Sequence, residues 1–120
     1  MPNINAALGC AQLENLDKFI ASKRRLALEY AEYFKNIEDI QFFTEPEDTF
    51  SNYWLQAVIL KDREAQQEFL QQTNDNGVMP RPIWELMTRL PMFKYCQNDG
   101  LENTLWFAVR VVNIPSSVRI

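Results

Sequence analysis

Apolar and polar residues recur along this chain with two different periods, and the changes of period divide it into elements. From Asp17 to about Asn36, Phe19, Ile20, Ala27, Tyr30, Ala31 and Phe34 return at three- and four-residue steps. That spacing sets them in one stripe and predicts a long helix with Asp17 at its start. Lys23, Arg24, Arg25, Glu29, Glu32 and Lys35 mostly fall on its other sides. The Lys-Arg-Arg run therefore reads as a solvated face with acidic residues within reach. Upstream, Asn3 or Asn5 is placed to cap a first helix, its amide oxygen accepting from the free N–H groups of the first turn. Ala6, Ala7, Gly9, Cys10 and Ala11 make that helix thin. A glycine inside a helix costs about 1 kcal/mol relative to alanine. Gly9 therefore points to tight packing, either within the domain or against a partner domain or subunit. Cys10 reads as a small buried side chain on the same helix.

The middle of the chain changes to strand-like patterning. Ile40 to Thr44 predicts a short strand, and Glu45-Pro46-Glu47-Asp48 a loop of solvated charges. Tyr53 to Leu60 is aromatic and β-branched, apolar on both alternate sets except at Gln56. It predicts a central strand covered on both faces. Asp62 caps a third helix from Arg63 to about Thr73, with Ala65, Phe69 and Leu70 inward, and Asn76-Gly77 closes it. Val78-Met79 is extended and runs into Arg81. A helical turn follows Trp84 and breaks at Pro91. A last helix is expected from Glu102 to about Val109, then an extended piece from Val111 to Ser117. With no repeat or linker, this order predicts one α+β domain over residues 1–120.

Composition narrows the function. Of 120 residues, 47% are hydrophobic and 23% charged, which is the balance of a folded domain, and the net charge of −4 with no basic cluster disfavours nucleic acid. No apolar run approaches a membrane span, and the first ten residues lack a signal-peptide pattern. The two distant cysteines, Cys10 and Cys96, read as free thiols of a cytoplasmic protein. There is no histidine, which excludes Ser-His-Asp and Cys-His catalysis within these residues. The three glycines form no phosphate loop. None of Lys18, Lys23, Lys35, Lys61 and Lys94 sits in a sequence setting that would depress a lysine pKa for Schiff-base chemistry.

What remains is GVMPRPIWELMTRLPMF, Gly77 to Phe93. Pro80 and Pro82 stiffen the backbone on both sides of Arg81. Arg81 offers a planar fork for carboxylate or phosphate, and Trp84 an apolar face with one N–H donor. A surface arginine and a core tryptophan are the plainer readings. Asn52, Tyr53, Ser116 and Ser117 are possible further donors. No residue of the chain is assigned a catalytic role.

The opening stretch MPNINAALGCAQLENLDKFIASKRRLALEYAEYF resembles the start of the C-terminal domain of the DegT-type sugar aminotransferases, through Met1, Ala6, Ala7, Gly9, Ala11, Gln12, Leu13 and Glu14. SNYWLQAVIL resembles the next strand. RPIWELMTRLPMF and VNIPSS resemble the branch acting on 4-keto-6-deoxy N-acetylated UDP-sugars, as in legionaminic-type acid synthesis. The resemblance implies a small mixed or antiparallel sheet packed with helices, the small domain of a fold-type-I homodimer. It implies pyridoxal 5'-phosphate as cofactor of the complete enzyme, with a UDP-sugar and glutamate as its substrates. The cofactor lysine belongs to the family's large domain, so this chain is expected to be a fragment that binds no cofactor and is inactive alone. By position in the family, Arg81 would hold an anionic group, Trp84 would wall the sugar pocket, and Asn3 and Asn5 would lie near the partner's cofactor phosphate. A free-standing protein-interaction or sugar-nucleotide-binding module is the alternative.

Overall fold

A computed structural model describes residues 2–118. Helix α1 (Asn3–Leu13) and helix α2 (Leu16–Phe34) are followed by strands β1 (Ile40–Phe42) and β2 (Gln56–Leu60). Helix α3 (Arg63–Asp75), the short strand β3 (Arg81–Pro82), two single 3₁₀ turns (Met87–Arg89 and Pro91–Phe93), helix α4 (Glu102–Ala108) and strand β4 (Val111–Ile114) complete the order. The sheet runs β1-β2-β4-β3 and is antiparallel throughout. The chain is thus α+β, with helices on an antiparallel sheet.

The core forms where the two periods meet. On β2, Gln56, Val58 and Leu60 are buried, while Ala57 and Ile59 are half-buried. The expected full cover on both faces is therefore met on one face only. Val58 and Val112 lie opposite each other across β2 and β4 and are fully buried, which stabilises the fold by roughly 1.5–3 kcal/mol for each side chain. Ala27 and Phe34 of α2, Phe42, Leu60 and Ile114 close around them, with Tyr30, Phe69 and Leu70 packed against the cluster.

Several local expectations change. The N-cap of α1 is Pro2, with no side-chain bond, and Asn3 and Asn5 lie inside the helix. Proline suits a helix start because its missing N–H would be unsatisfied there anyway. Helix α2 begins at Leu16, with Asp17 in its first turn, where a carboxylate favours the positive end of the helix. Strand β2 begins at Gln56 rather than Tyr53, because Tyr53 adopts a left-handed conformation (φ 47°) that breaks the pleat. Its neighbour Trp54 donates its N–H to Asn52 Oδ1 at 3.0 Å, a local turn. The cap of α3 is as expected: Asp62 Oδ1 accepts from Ala65 N–H at 2.9 Å.

The basic run on α2 is not a solvated face. Arg24 donates to both carboxylate oxygens of Glu45, at 3.0 and 2.6 Å, and also to the Ser51 carbonyl. Its guanidinium lies 4.1 Å from the centre of the Phe50 ring. Glu45, expected as a solvated loop charge, is half-buried and also accepts from Ser51 N–H. The Arg24 hydrogen bonds, then the Ser51 N–H, hold its carboxyl at a pKa of about 2. Of the three cations only Arg25 is exposed.

Helix α1 buries none of its residues, and Ile4, Leu8 and Leu13 are all exposed. An added Cβ at Gly9 would meet nothing within 4 Å, so its tight packing is not met within the described residues. Cys10, expected to be buried, is exposed, as is Cys96. The radius of gyration is 17.5 Å, against about 14 Å for a compact chain of this length. No helix among the described residues is long and apolar enough to cross a membrane.

Candidate functional site

The stiff segment singled out in the sequence becomes a sheet edge. Arg81 pairs with Asn113 and Pro82 with Val112 across β3 and β4. Pro82 has no N–H to offer along the open edge, which suits an edge strand of two residues. Pro80 is buried and anchors the segment at its entry. Beyond it Arg81 is exposed and Trp84 is 75% exposed. The plainer reading of Trp84 as core is therefore set aside.

Arg81 and Trp84 line one cavity of about 530 Å³, a volume in the range of small-molecule sites. Leu55 and Met79 add apolar wall, and Asn113, Pro115 and Ser116 close the side formed by β4 and the residues after it. Among the described residues Arg81 is the one charged side chain in the lining. The arrangement offers a cationic fork, an aromatic face and an amide around a mixed polar and apolar hollow. It suits an anionic group joined to a ring that stacks or packs.

The other expected donors divide. Ser116 lines the cavity, but its hydroxyl donates to the Trp54 carbonyl at 3.1 Å. Asn52 is used in the turn before β2, and the Tyr53 hydroxyl accepts from Glu45 N–H at 3.0 Å. Ser117 is exposed. Asn3 and Asn5 are exposed on α1 and do not line this cavity. Sequence reasoning missed Asn113. The alternation of Val111-Val112-Asn113-Ile114 carried the signal, since burying Val112 and Ile114 turns Asn113 to the other face.

A second hollow of about 550 Å³ lies between the 3₁₀ turns and the segment before α4, lined by Leu86, Phe93, Cys96 and Leu101 among others. Its charged lining residues are Glu85 and Asp99. With no cation it is a poor receptor for an anionic ligand. Among the described residues no group of three or more His, Cys, Asp or Glu is placed to hold a metal ion.

The whole sequence, residues 1–120, matches the DegT/DnrJ/EryC1/StrS aminotransferase family. The chain belongs to that family. It is a family of pyridoxal-phosphate-dependent aminotransferases, and a Bacillus subtilis relative, EpsN, is named a putative aminotransferase of that kind. GDP-perosamine synthase of Escherichia coli O157:H7 is 33% identical over 119 residues, covering 97% of this chain, and the enzyme of the same name from Vibrio cholerae is 31% identical over 122. The chain spans 32% of the length of each of these relatives. The fold recurs in Helicobacter pylori PseC, an aminotransferase involved in the biosynthesis of pseudoaminic acid, at TM-score 0.84 and 16% identity, over 95% of this chain and 32% of that one. It recurs in S. venezuelae DesV, solved with a ketimine intermediate, at TM-score 0.83 and 21% identity, over 93% of this chain and 30% of that one.

Membership of the family raises the question of whether these residues suit its cofactor. Pyridoxal phosphate needs a lysine for its aldehyde and a partner for its ring nitrogen. Among the described residues no lysine and no carboxylate lines the cavity of Arg81 and Trp84. Lys61 pairs with Asp39 at 3.3 Å, Lys35 with Glu32 at 3.7 Å, and Lys23 donates to two backbone carbonyls. The donor set of this cavity does not fit the cofactor.

Proposed function

We propose that this chain is the small domain of a sugar-nucleotide aminotransferase and contributes the substrate-side wall of its active site. The complete enzyme would convert a 4-keto-6-deoxy UDP-N-acetyl-sugar to the 4-amino sugar, with glutamate as donor and pyridoxal 5'-phosphate as cofactor, as a homodimer. The cofactor supplies the carbanion chemistry. This domain's part is to bind and enclose substrate: Arg81 holds the anionic group and Trp84 walls the sugar. The observation that carries this reading is the single cavity that gathers Arg81, Trp84 and Asn113 in a member of the family. Asn3 and Asn5 lie on an uncovered helix, which suits a contact with another domain or subunit near the cofactor phosphate. Two residues apart on a helix means about 200° of rotation, so they cannot both turn to one phosphate. The chain alone is expected to be inactive.

A GDP-linked sugar is the second reading, favoured by the relatives named GDP-perosamine synthase. Titration of the chain with UDP-N-acetylglucosamine and with GDP-mannose, followed by tryptophan fluorescence, separates the two. Saturable binding of either that is lost in Arg81→Ala supports the site, and the tighter nucleotide decides between the readings. No binding of either, or equal binding by Arg81→Ala, refutes the assignment of Arg81. Turnover of a keto sugar by the chain with added pyridoxal phosphate and glutamate would refute the assigned inactivity.

A further inference from the structure

The β2–β4 ladder ends abruptly beside the candidate cavity. Its last pair is Gln56 with Ile114. Two residues further on in the same register, Trp54 would stand opposite Ser116. In that register the Trp54 N–H would reach the Ser116 carbonyl, but it is already given to Asn52. The two carbonyls at that position take other donors, and the Trp54 carbonyl already accepts from the Ser116 hydroxyl at 3.1 Å. One side chain of α2 serves both: Lys23 Nζ donates to the Trp54 carbonyl at 3.2 Å and to the Ser116 carbonyl. Two helical turns along the same face, the Tyr30 hydroxyl donates to the Pro115 carbonyl at 3.1 Å. Gln56 Nε2 returns the tie by donating to the Lys23 carbonyl at 3.0 Å. Leu55, Pro115 and Ser116, the residues bracketed by these bonds, form the wall of the cavity across from Arg81 and Trp84.

We propose that Lys23 is a positioning residue, whose ammonium replaces the missing rungs of the sheet and fixes the Leu55–Ser116 wall at the distance from Trp84 that the ligand requires. It touches no ligand itself, since it does not line the cavity. An ammonium is suited to the task because its three donors sit on one atom and bridge two carbonyls from different strands. Hydrogen bonds from a charged donor are stronger than those between neutral groups. A preorganised wall lowers the ordering cost of binding. The proposal rests on the substrate-wall reading above.

Two measurements on Lys23→Met and Lys23→Arg keep the two ideas apart. The first is titration with UDP-N-acetylglucosamine and GDP-mannose. Lys23→Met is expected to weaken binding roughly tenfold, because the cost of ordering the released wall then falls on the binding step, and Lys23→Arg to restore most of it. Binding by Lys23→Met equal to wild type overturns the proposal. The second is amide hydrogen exchange without ligand. Exchange at Gln56 and Ile114, the end of the ladder, should quicken in Lys23→Met by at least tenfold, and that at Val58 and Val112 should not. Unchanged exchange at Gln56 and Ile114 overturns the tie, and equal acceleration at all four makes Lys23 a general stabiliser and overturns it too. If wild type binds neither sugar nucleotide, the substrate-wall reading fails, while the exchange data still decide the tie.

Discussion

Gln56 is the position where removing a polar group should strengthen the fold. It is 1% exposed, on the inward face of β2 beside Val58. Its Nε2 donates to the Lys23 carbonyl at 3.0 Å, but its Oε1 is buried with no partner among the described residues. Gln56→Met keeps the length and shape of the side chain and removes both groups. The lost bond is worth about 0.5–1.5 kcal/mol net. The Lys23 carbonyl is not stranded by the change, because it lies inside α2 and takes part in the helix ladder. Relief of the unpartnered Oε1 returns about 1–3 kcal/mol. The balance favours methionine by about 1 kcal/mol, which for a domain of this size raises the unfolding midpoint by roughly 3–6 °C. Urea and thermal unfolding followed by circular dichroism measure it. Gln56→Glu is the contrasting variant, because it removes the donor and buries a carboxylate. It should destabilise by about 2 kcal/mol or more at neutral pH. Loss of more than 1 kcal/mol in Gln56→Met would refute the reasoning, because it would mean that Oε1 is satisfied in solution.

The Arg24–Glu45 pair gives an acid-dependent stability. The Glu45 pKa falls from 4.5 to about 2 on folding, so its contribution is complete above pH 4.5 and is lost as pH falls toward 2. Glu45→Gln should show a shallower loss of stability over that window in parallel pH titrations of unfolding. Trp84→Ala and Arg81→Ala remove exposed side chains and should change stability by no more than about 0.5 kcal/mol, while either weakens sugar-nucleotide binding in the fluorescence titration. Cys10 and Cys96 are both free and exposed, so a thiol reagent should titrate two groups in the native protein without denaturant. Detection of only one fast-reacting thiol would show that α1 or the segment near Cys96 is covered in solution.

The elements legible in the sequence are those whose partners lie in the same chain. The period of α3, its Asp62 cap and its closure at Gly77 are all local, and they are found where expected. The stripe of α2 is legible because Ala27, Tyr30 and Phe34 meet the sheet. What was illegible depends on chain segments far apart in sequence. Nothing near Lys23 or Arg24 announces the carbonyls of Trp54 and Ser116 or the carboxylate of Glu45, which lie 21 to 93 residues away. A basic run in an amphipathic helix looks the same whether water or a folded loop faces it. Similarly, Tyr53 and Trp54 have strand-forming side chains, yet the Asn52 turn and the φ of Tyr53 override that preference. The cavity was half legible: the prolines marked Arg81 and Trp84, but only the β3–β4 register places Asn113 against them.

The same contrast explains the shape of the molecule. Buried hydrophobic residues concentrate on α2, β1, β2 and β4. Large exposed ones concentrate on α1, on the stretch from Val78 to Tyr95, and on α4. These are the segments whose patterning is apolar without a periodic stripe that the sheet could bury. Their exposure accounts for a radius of gyration above the compact value. A sequence under no constraint but its own folding gains nothing by placing Ile4, Leu8 and Leu13 in water, since each forgoes about 1.5–3 kcal/mol of burial. Exposed apolar surface on this scale is characteristic of interaction faces. The Arg81–Trp84 cavity lies in one of these uncovered stretches rather than over the closed core. That placement is what the proposed substrate-wall reading requires, because a pocket built wholly inside one core would not need Trp84 three-quarters exposed.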